Sequence, residues 1–115
     1  MRACTEFSNI YLYRDAIDFR KSINGLVALV EGELSRSAFD PALYLFCNKQ
    51  RDKLKMLYWD NTGFALWYKR LERDRFKWPK GQADKSLMLT DTDVYRLLAG
   101  YDVVGHKQLH YASHY

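Results

Sequence analysis

His106, His110 and His114 stand at i, i+4 and i+8, a spacing that would align three imidazoles on one helical face and could hold a divalent metal. No fourth ligand is apparent and Gly105 opens the segment, so a mobile tail is the better reading. Carboxylates for a Mg²⁺-dependent nuclease or strand-transfer reaction exist in Asp15, Asp18, Asp52, Asp60, Glu72 and Asp74. Two-metal chemistry needs several of them converging on ions about 4 Å apart. Most have a simpler place: Asp18 reads as a helix cap, Asp60 as a turn residue, and Glu72 and Asp74 as a hairpin loop. No Ser/His/Asp order, P-loop or GxGxxG appears, so no catalytic residue, metal site or cofactor is assigned.

The legible chemistry lies between Phe46 and Pro79, where lysines and arginines crowd among tryptophans and tyrosines on what reads as a string of short strands. From Asn48 to Lys80 there are ten Lys or Arg against four acids, a net charge of +6 in a chain whose total is +4. The positive charge belongs to this segment alone. Such localisation is the electrostatic footprint of a nucleic-acid binder, because phosphate contacts supply most of the sequence-independent affinity. It is equally what the solvated face of an antiparallel sheet carries, where Lys is favoured at edges.

The elements that must position these residues follow from the apolar pattern. A length of 115 residues, 48% hydrophobic and 16% aromatic, bounds the chain to one folded domain, 1–102, followed by the tail at 103–115. No apolar run approaches the ~18 residues of a membrane span and the start lacks a secretory core, so the expected location is the cytoplasm. Cys4 and Cys47 form no disulfide framework; Cys47 reads as a buried small hydrophobe and Cys4 as part of a frayed terminus.

Ile10–Tyr13 is a plausible first strand. Phe19, Ile23, Leu26, Val27, Val30 and Leu34 give one apolar stripe, predicting a long helix from Phe19 to about Leu34 with Asp18 at its N-cap. Strands follow at about Ala42–Cys47, Lys53–Trp59, Phe64–Leu71 and Arg75–Trp78, with spacers too short for crossover helices. Gln82–Ser86 reads as a polar loop, and Thr90-Asp91-Thr92-Asp93 has the form of a capping box before a short helix from Asp91 to about Ala99, closed by Gly100. The fold class is therefore α+β, an antiparallel meander of four to five strands with one long helix packed on it and a short C-terminal helix.

A three-residue loop at Asn61-Thr62-Gly63, with Gly63 left-handed in a bulge, would place residues summing to 124 opposite one another. Leu54, Met56, Tyr58, Phe64, Leu66 and Tyr68 would then face the helix, and Lys53, Lys55, Leu57, Trp59, Ala65, Trp67 and Lys69 would face solvent. A tighter loop would mix the sets and bury charge. On the solvent face Trp59 and Trp67 would stack bases, or else form a second small core under the C-terminal segment.

The segments DFRKSINGL, KLKMLYWDNTGF and YKRLERDRFKWP, followed by LLAGYD, closely resemble the small accessory protein of bacterial insertion-sequence-sixty-six-type transposons, the second reading frame labelled TnpB or Orf2. That protein is unrelated to the RNA-guided nuclease sharing the TnpB label. The resemblance runs from about Asn9 to Asp102 and rests on Asp18, Arg20, Lys21, Gly25, Leu26, Lys55, Trp59, Asp60, Gly63, Tyr68, Lys69, Arg70, Leu71, Phe76, Trp78 and Pro79. The tail matches nothing in that pattern. The resemblance implies a role in transposition beside a separate large transposase, with no established enzymatic activity.

Together these readings predict a non-enzymatic accessory factor for DNA transposition that binds transposon-end DNA with low sequence specificity, the transposase, or both. The residues assigned to nucleic acid are Lys53, Lys55, Trp59, Trp67, Lys69, Arg70, Arg73, Arg75 and Lys77, with Arg20 and Lys21 added from the first helix start. The alternatives are a metal-dependent nuclease and a protein–protein adaptor without DNA contact.

Overall fold

The computed structural model describes residues 3–79 and 84–101. Five strands, β1 (Asn9–Tyr13), β2 (Ala42–Cys47), β3 (Lys53–Trp59), β4 (Phe64–Arg70) and β5 (Ser86–Leu89), form one sheet in the order β4-β3-β2-β1-β5. Two helices accompany it, α1 (Ile23–Glu33) and α2 (Asp91–Leu98), with a 3-10 turn at Cys4–Glu6. The α+β class holds, but the sheet is mixed. β1 runs parallel to β2, and every other pairing is antiparallel. Short spacers dictate antiparallel pairing for β2, β3 and β4, whereas residues 14–41 between β1 and β2 are long enough for a crossover and contain α1.

Three further expectations are corrected. The stretch 75–78 is not a strand, and the fifth strand is β5, paired antiparallel to β1 from Tyr13↔Ser86 to Ile10↔Leu89. The first helix is only 11 residues long, with Ser22 at its N-cap. Asp18 instead accepts the Arg20 backbone N–H at 2.9 Å, an Asx-type turn that consumes the carboxylate before the helix begins. Cys4 is not frayed but buried in the core.

Both faces of the sheet are covered. Leu43, Leu45 and Cys47 of β2 point to the face that receives Trp78, Phe76, Val94 and Leu97; Ala42, Tyr44 and Phe46 point to the face that receives Leu26 and Val30 of α1. All six residues of β2 are therefore buried, as expected of a strand enclosed on both sides. α2 begins in the expected capping box, Thr90 Oγ1 accepting the Asp93 N–H at 3.1 Å and Asp93 Oδ2 the Thr90 N–H at 3.0 Å.

The β3–β4 register differs from the expected one by a residue. Pairs sum to 123, from Lys53↔Arg70 to Trp59↔Phe64, around a four-residue loop, 60–63. Asn61, not Gly63, takes the left-handed conformation, at φ 55°. Leu54, Met56 and Tyr58 thus share a face with Ala65, Trp67 and Lys69, while Lys53, Lys55, Leu57 and Trp59 share the α1 face with Phe64, Leu66, Tyr68 and Arg70. Gly63→Ala should accordingly change stability by less than about 0.5 kcal/mol, since an added Cβ meets nothing within 4 Å. Gly100→Ala, at φ +95°, should cost about 1 kcal/mol. Thermal melts of the two variants check the assignment, and a larger loss at Gly63 would contradict it.

Candidate nucleic-acid interface

The shifted register buries charge, and the backbone accommodates it. Lys55 is 7% exposed, its ammonium donating to the Phe19 and Lys21 carbonyls at 2.9 Å each and lying 4.6 Å from the centre of the Phe19 ring. Burial lowers its pKa. Lys69 Nζ donates to the Leu98 carbonyl at 3.0 Å, placing a cation at the negative end of α2. Neither lysine stands on a free solvent face.

The tryptophans are engaged as well. Trp59 packs edge-on against Phe39 at 4.8 Å and Phe64 at 5.0 Å between ring centres. Trp67 packs, partly buried, against the core cluster that includes Trp78, Val94 and Leu97. Trp78 is 5% exposed and donates its indole N–H to the Tyr13 carbonyl at 3.0 Å. Base stacking on a common face and a shared second core are both corrected: the register sends Trp59 to the α1 face and Trp67 to the opposite one, each packed by itself.

The cations that remain outward collect at one end of the sheet. The β2–β3 turn is ordered by Asn48, a buried residue whose side-chain carbonyl accepts the Asp52 and Lys53 N–H groups at 3.1 and 3.0 Å while its amide donates to Asp52 Oδ1 at 2.7 Å. That amide is the main reason the Asp52 carboxyl titrates below its ordinary range. The chain after β4 is fastened to this turn: the Leu71 N–H donates to the Asp52 carbonyl at 2.8 Å, the Phe76 N–H to the Arg51 carbonyl at 2.7 Å, and Arg75 Nη1 to the Gln50 carbonyl at 3.3 Å. Residues 48–53 and 70–77 thereby form one rim carrying seven Lys or Arg against three acids. Lys49, Arg70, Arg73, Arg75 and Lys77 are exposed and Lys53 is half-buried. The register sets Lys53 directly opposite Arg70, a like-charged pair that weakens a sheet. Glu72 relieves part of it through Arg70 at 2.8 Å. Among the described residues, buried Nη1 of Arg51 and Nε of Arg14 meet no hydrogen-bond partner.

Arg20 and Lys21 lie in the segment leading to α1, both exposed. Arg20 pairs with Asp18 at 2.6 Å, and its guanidinium, with the Arg20 backbone N–H, holds the Asp18 carboxyl down at about 2 against an ordinary 3.8. The folded chain binds this proton less tightly than the unfolded one, so the contribution is complete above about pH 4 and is lost as pH falls through about 2. An NMR titration should place Asp18 near 2, and a midpoint at 3.8 would show that the pair does not persist in solution.

Asn48 is the positioning residue that sequence reasoning missed; a lone Asn closing an apolar strand before a charged turn is its only signal. Among the described residues no three of His, Cys, Asp and Glu group to hold a metal ion, and no helix is long and apolar enough to cross a membrane. The tail histidines lie outside the described residues. Cys47 stays a core residue, its thiol pushed up to about 11 chiefly by burial.

Fold and rim define a small α+β domain that carries five exposed Lys or Arg side chains along one edge of its sheet. The chain matches the model of the IS66 Orf2 like protein family over residues 8–108 and belongs to that family, whose members are accessory proteins of transposition. It is 36% identical over 86 residues to the uncharacterized protein y4jC of Sinorhizobium fredii (strain NBRC 101917 / NGR234), covering 75% of this chain and 73% of that protein. A second relative from the same strain, the uncharacterized protein y4hO, is 29% identical over 85 residues, 74% of this chain and 73% of its own. No solved structure matches.

Proposed function

We propose that the chain serves transposition as a non-enzymatic DNA-binding accessory factor, and that its interface is the basic rim. The observation that supports this most is that the β3–β4 register sets Lys53 against Arg70 at a cost to the sheet, beside the 70–77 segment fastened to the 48–53 turn. Of the residues assigned from the sequence, the proposal keeps Lys53, Arg70, Arg73, Arg75 and Lys77, adds Lys49, and leaves Arg20 and Lys21 as flanking charge. Lys55, Lys69, Trp59 and Trp67 are left to the fold, because each already has its partners inside the protein.

Cations on loops contact phosphates more readily than base edges, so binding should be weakly sequence-specific and strongly salt-dependent. The test is fluorescence anisotropy of labelled transposon-end DNA with the full chain and with an Arg73→Ala/Arg75→Ala/Lys77→Ala variant. The variant should retain its melting temperature, bind at least about tenfold more weakly and lose roughly 2–3 from the slope of log affinity against log salt. Unchanged affinity and slope would overturn the interface.

The transposase is the other partner the family role calls for. The aromatic knot at the opposite end of the β3–β4 hairpin is the place we assign to it, about 20 Å from the rim by strand rise. There Phe39 remains 56% exposed on top of Trp59 and Phe64.

A further inference from the structure

We infer that the rim takes double-helical DNA by its phosphate backbone and that single strands are its poor competitors, an inference resting on the proposal that the rim binds DNA. A single-strand interface needs two parts, a cationic track and flat rings on which successive bases stack. This rim has the first without the second. Trp78, next to Lys77 in the chain, is 5% exposed, lies beneath the Arg51 guanidinium at 5.9 Å and has its N–H committed to Tyr13. Phe76, between Arg75 and Lys77, is 3% exposed. Sequence alone interleaves aromatics with cations from Arg75 to Trp78; the fold sends the rings inward and the cations outward.

The half-exposed ring near the rim is Tyr68, two residues before Arg70 on β4. Phe19 meets it edge-to-face at 5.9 Å and the Lys55 ammonium lies over it at 5.9 Å, so its neighbours are already placed. One ring does not make a stacking track.

The geometry of the rim suits a rigid partner. Asn48 fixes the turn from within, and three hydrogen bonds from the 71–76 chain to the 50–52 carbonyls fix the second strip of cations against the first. The cations are therefore presented at set positions rather than on a loop that wraps a flexible strand. A duplex offers phosphates at fixed spacing and higher charge density, and each contact releases more counterion from it than from a single strand, about 0.9 against 0.7 per phosphate.

The experiment is competition against a labelled duplex by unlabelled duplex and by either unlabelled single strand of the same sequence and length, with the full chain. The duplex should displace the label at a concentration about tenfold below that of either single strand, in keeping with the steeper counterion release. Tyr68→Ala should leave the duplex affinity within twofold, since no base is stacked there, whereas Asn48→Ala should weaken it with the melt still cooperative. Single strands competing equally or better, or a several-fold loss with Tyr68→Ala, would overturn the inference while leaving DNA binding at the rim intact. Absence of binding to either form would sink this inference and the proposed function together.

Discussion

Trp78→Ala is expected to cost the fold about 3–5 kcal/mol, the range for emptying a buried tryptophan site. The indole is 5% exposed in the core layer with Leu54, Met56, Val94 and Leu97, and its N–H holds the Tyr13 carbonyl at the end of β1. Removing it opens a cavity and leaves that carbonyl without its donor. It also removes the anchor of the segment that carries Arg73, Arg75 and Lys77. Denaturant unfolding should therefore show a large drop in midpoint, and Trp78→Phe, which restores a smaller ring without the N–H, should recover part of it. A loss below about 1 kcal/mol in Trp78→Ala would mean that residues 76–78 do not dock on the sheet.

Lys55→Met should destabilise the chain by about 1–3 kcal/mol, although a buried charge is removed. The reason is the partners it leaves behind: the carbonyls of Phe19 and Lys21 lose their donor, and the loop before α1 loses its tie to β3. The pH dependence separates this role from plain packing. Burial lowers the Lys55 pKa from its ordinary 10.5, so the unfolded chain binds that proton more tightly than the folded chain. Between the lowered value and 10.5 the Lys55 protein should gain stability as pH rises relative to the Met variant. A stability difference flat with pH, or a Met variant more stable at neutral pH, would contradict the buried-donor account.

Much of the architecture was legible because its signals are local. β2, β3 and α2 fall where apolar runs and the capping box place them, and the stripe Ile23, Leu26, Val27, Val30 does pack on the sheet. What escaped depends on pairings between distant segments. The parallel β1–β2 pair needed knowledge that α1 is a crossover, and β5, four residues long, announces nothing until Tyr13 is seen opposite Ser86. The hairpin register turned on one loop residue. Residue type points to Gly63 for the left-handed position, but Asn61 tolerates it too, and a slip of one residue exchanges the faces of β4.

The same slip bears on the proposed interface. Its placement in the 46–79 stretch rests on charge, which no register alters. The roles of individual residues do not follow from charge, because backbone carbonyls can take a buried ammonium as well as water can. Lys55 and Lys69 are satisfied in this way, at Phe19, Lys21 and Leu98. The cations of the rim are recognisable as charge, but the two strips are brought together by the Lys53↔Arg70 register and by the hydrogen bonds from Leu71, Arg75 and Phe76 to the 50–52 turn.

The central claim, that the basic rim is where DNA sits, is tested most directly by titrating duplex transposon-end DNA into the isotope-labelled full chain and following backbone amide shifts by NMR. The account expects the largest perturbations at residues 49–53 and 70–77, fading as salt is raised, with the Phe39, Trp59 and Phe64 knot unmoved. Perturbations centred on that knot or on α2, or none at DNA concentrations that saturate anisotropy, would contradict it.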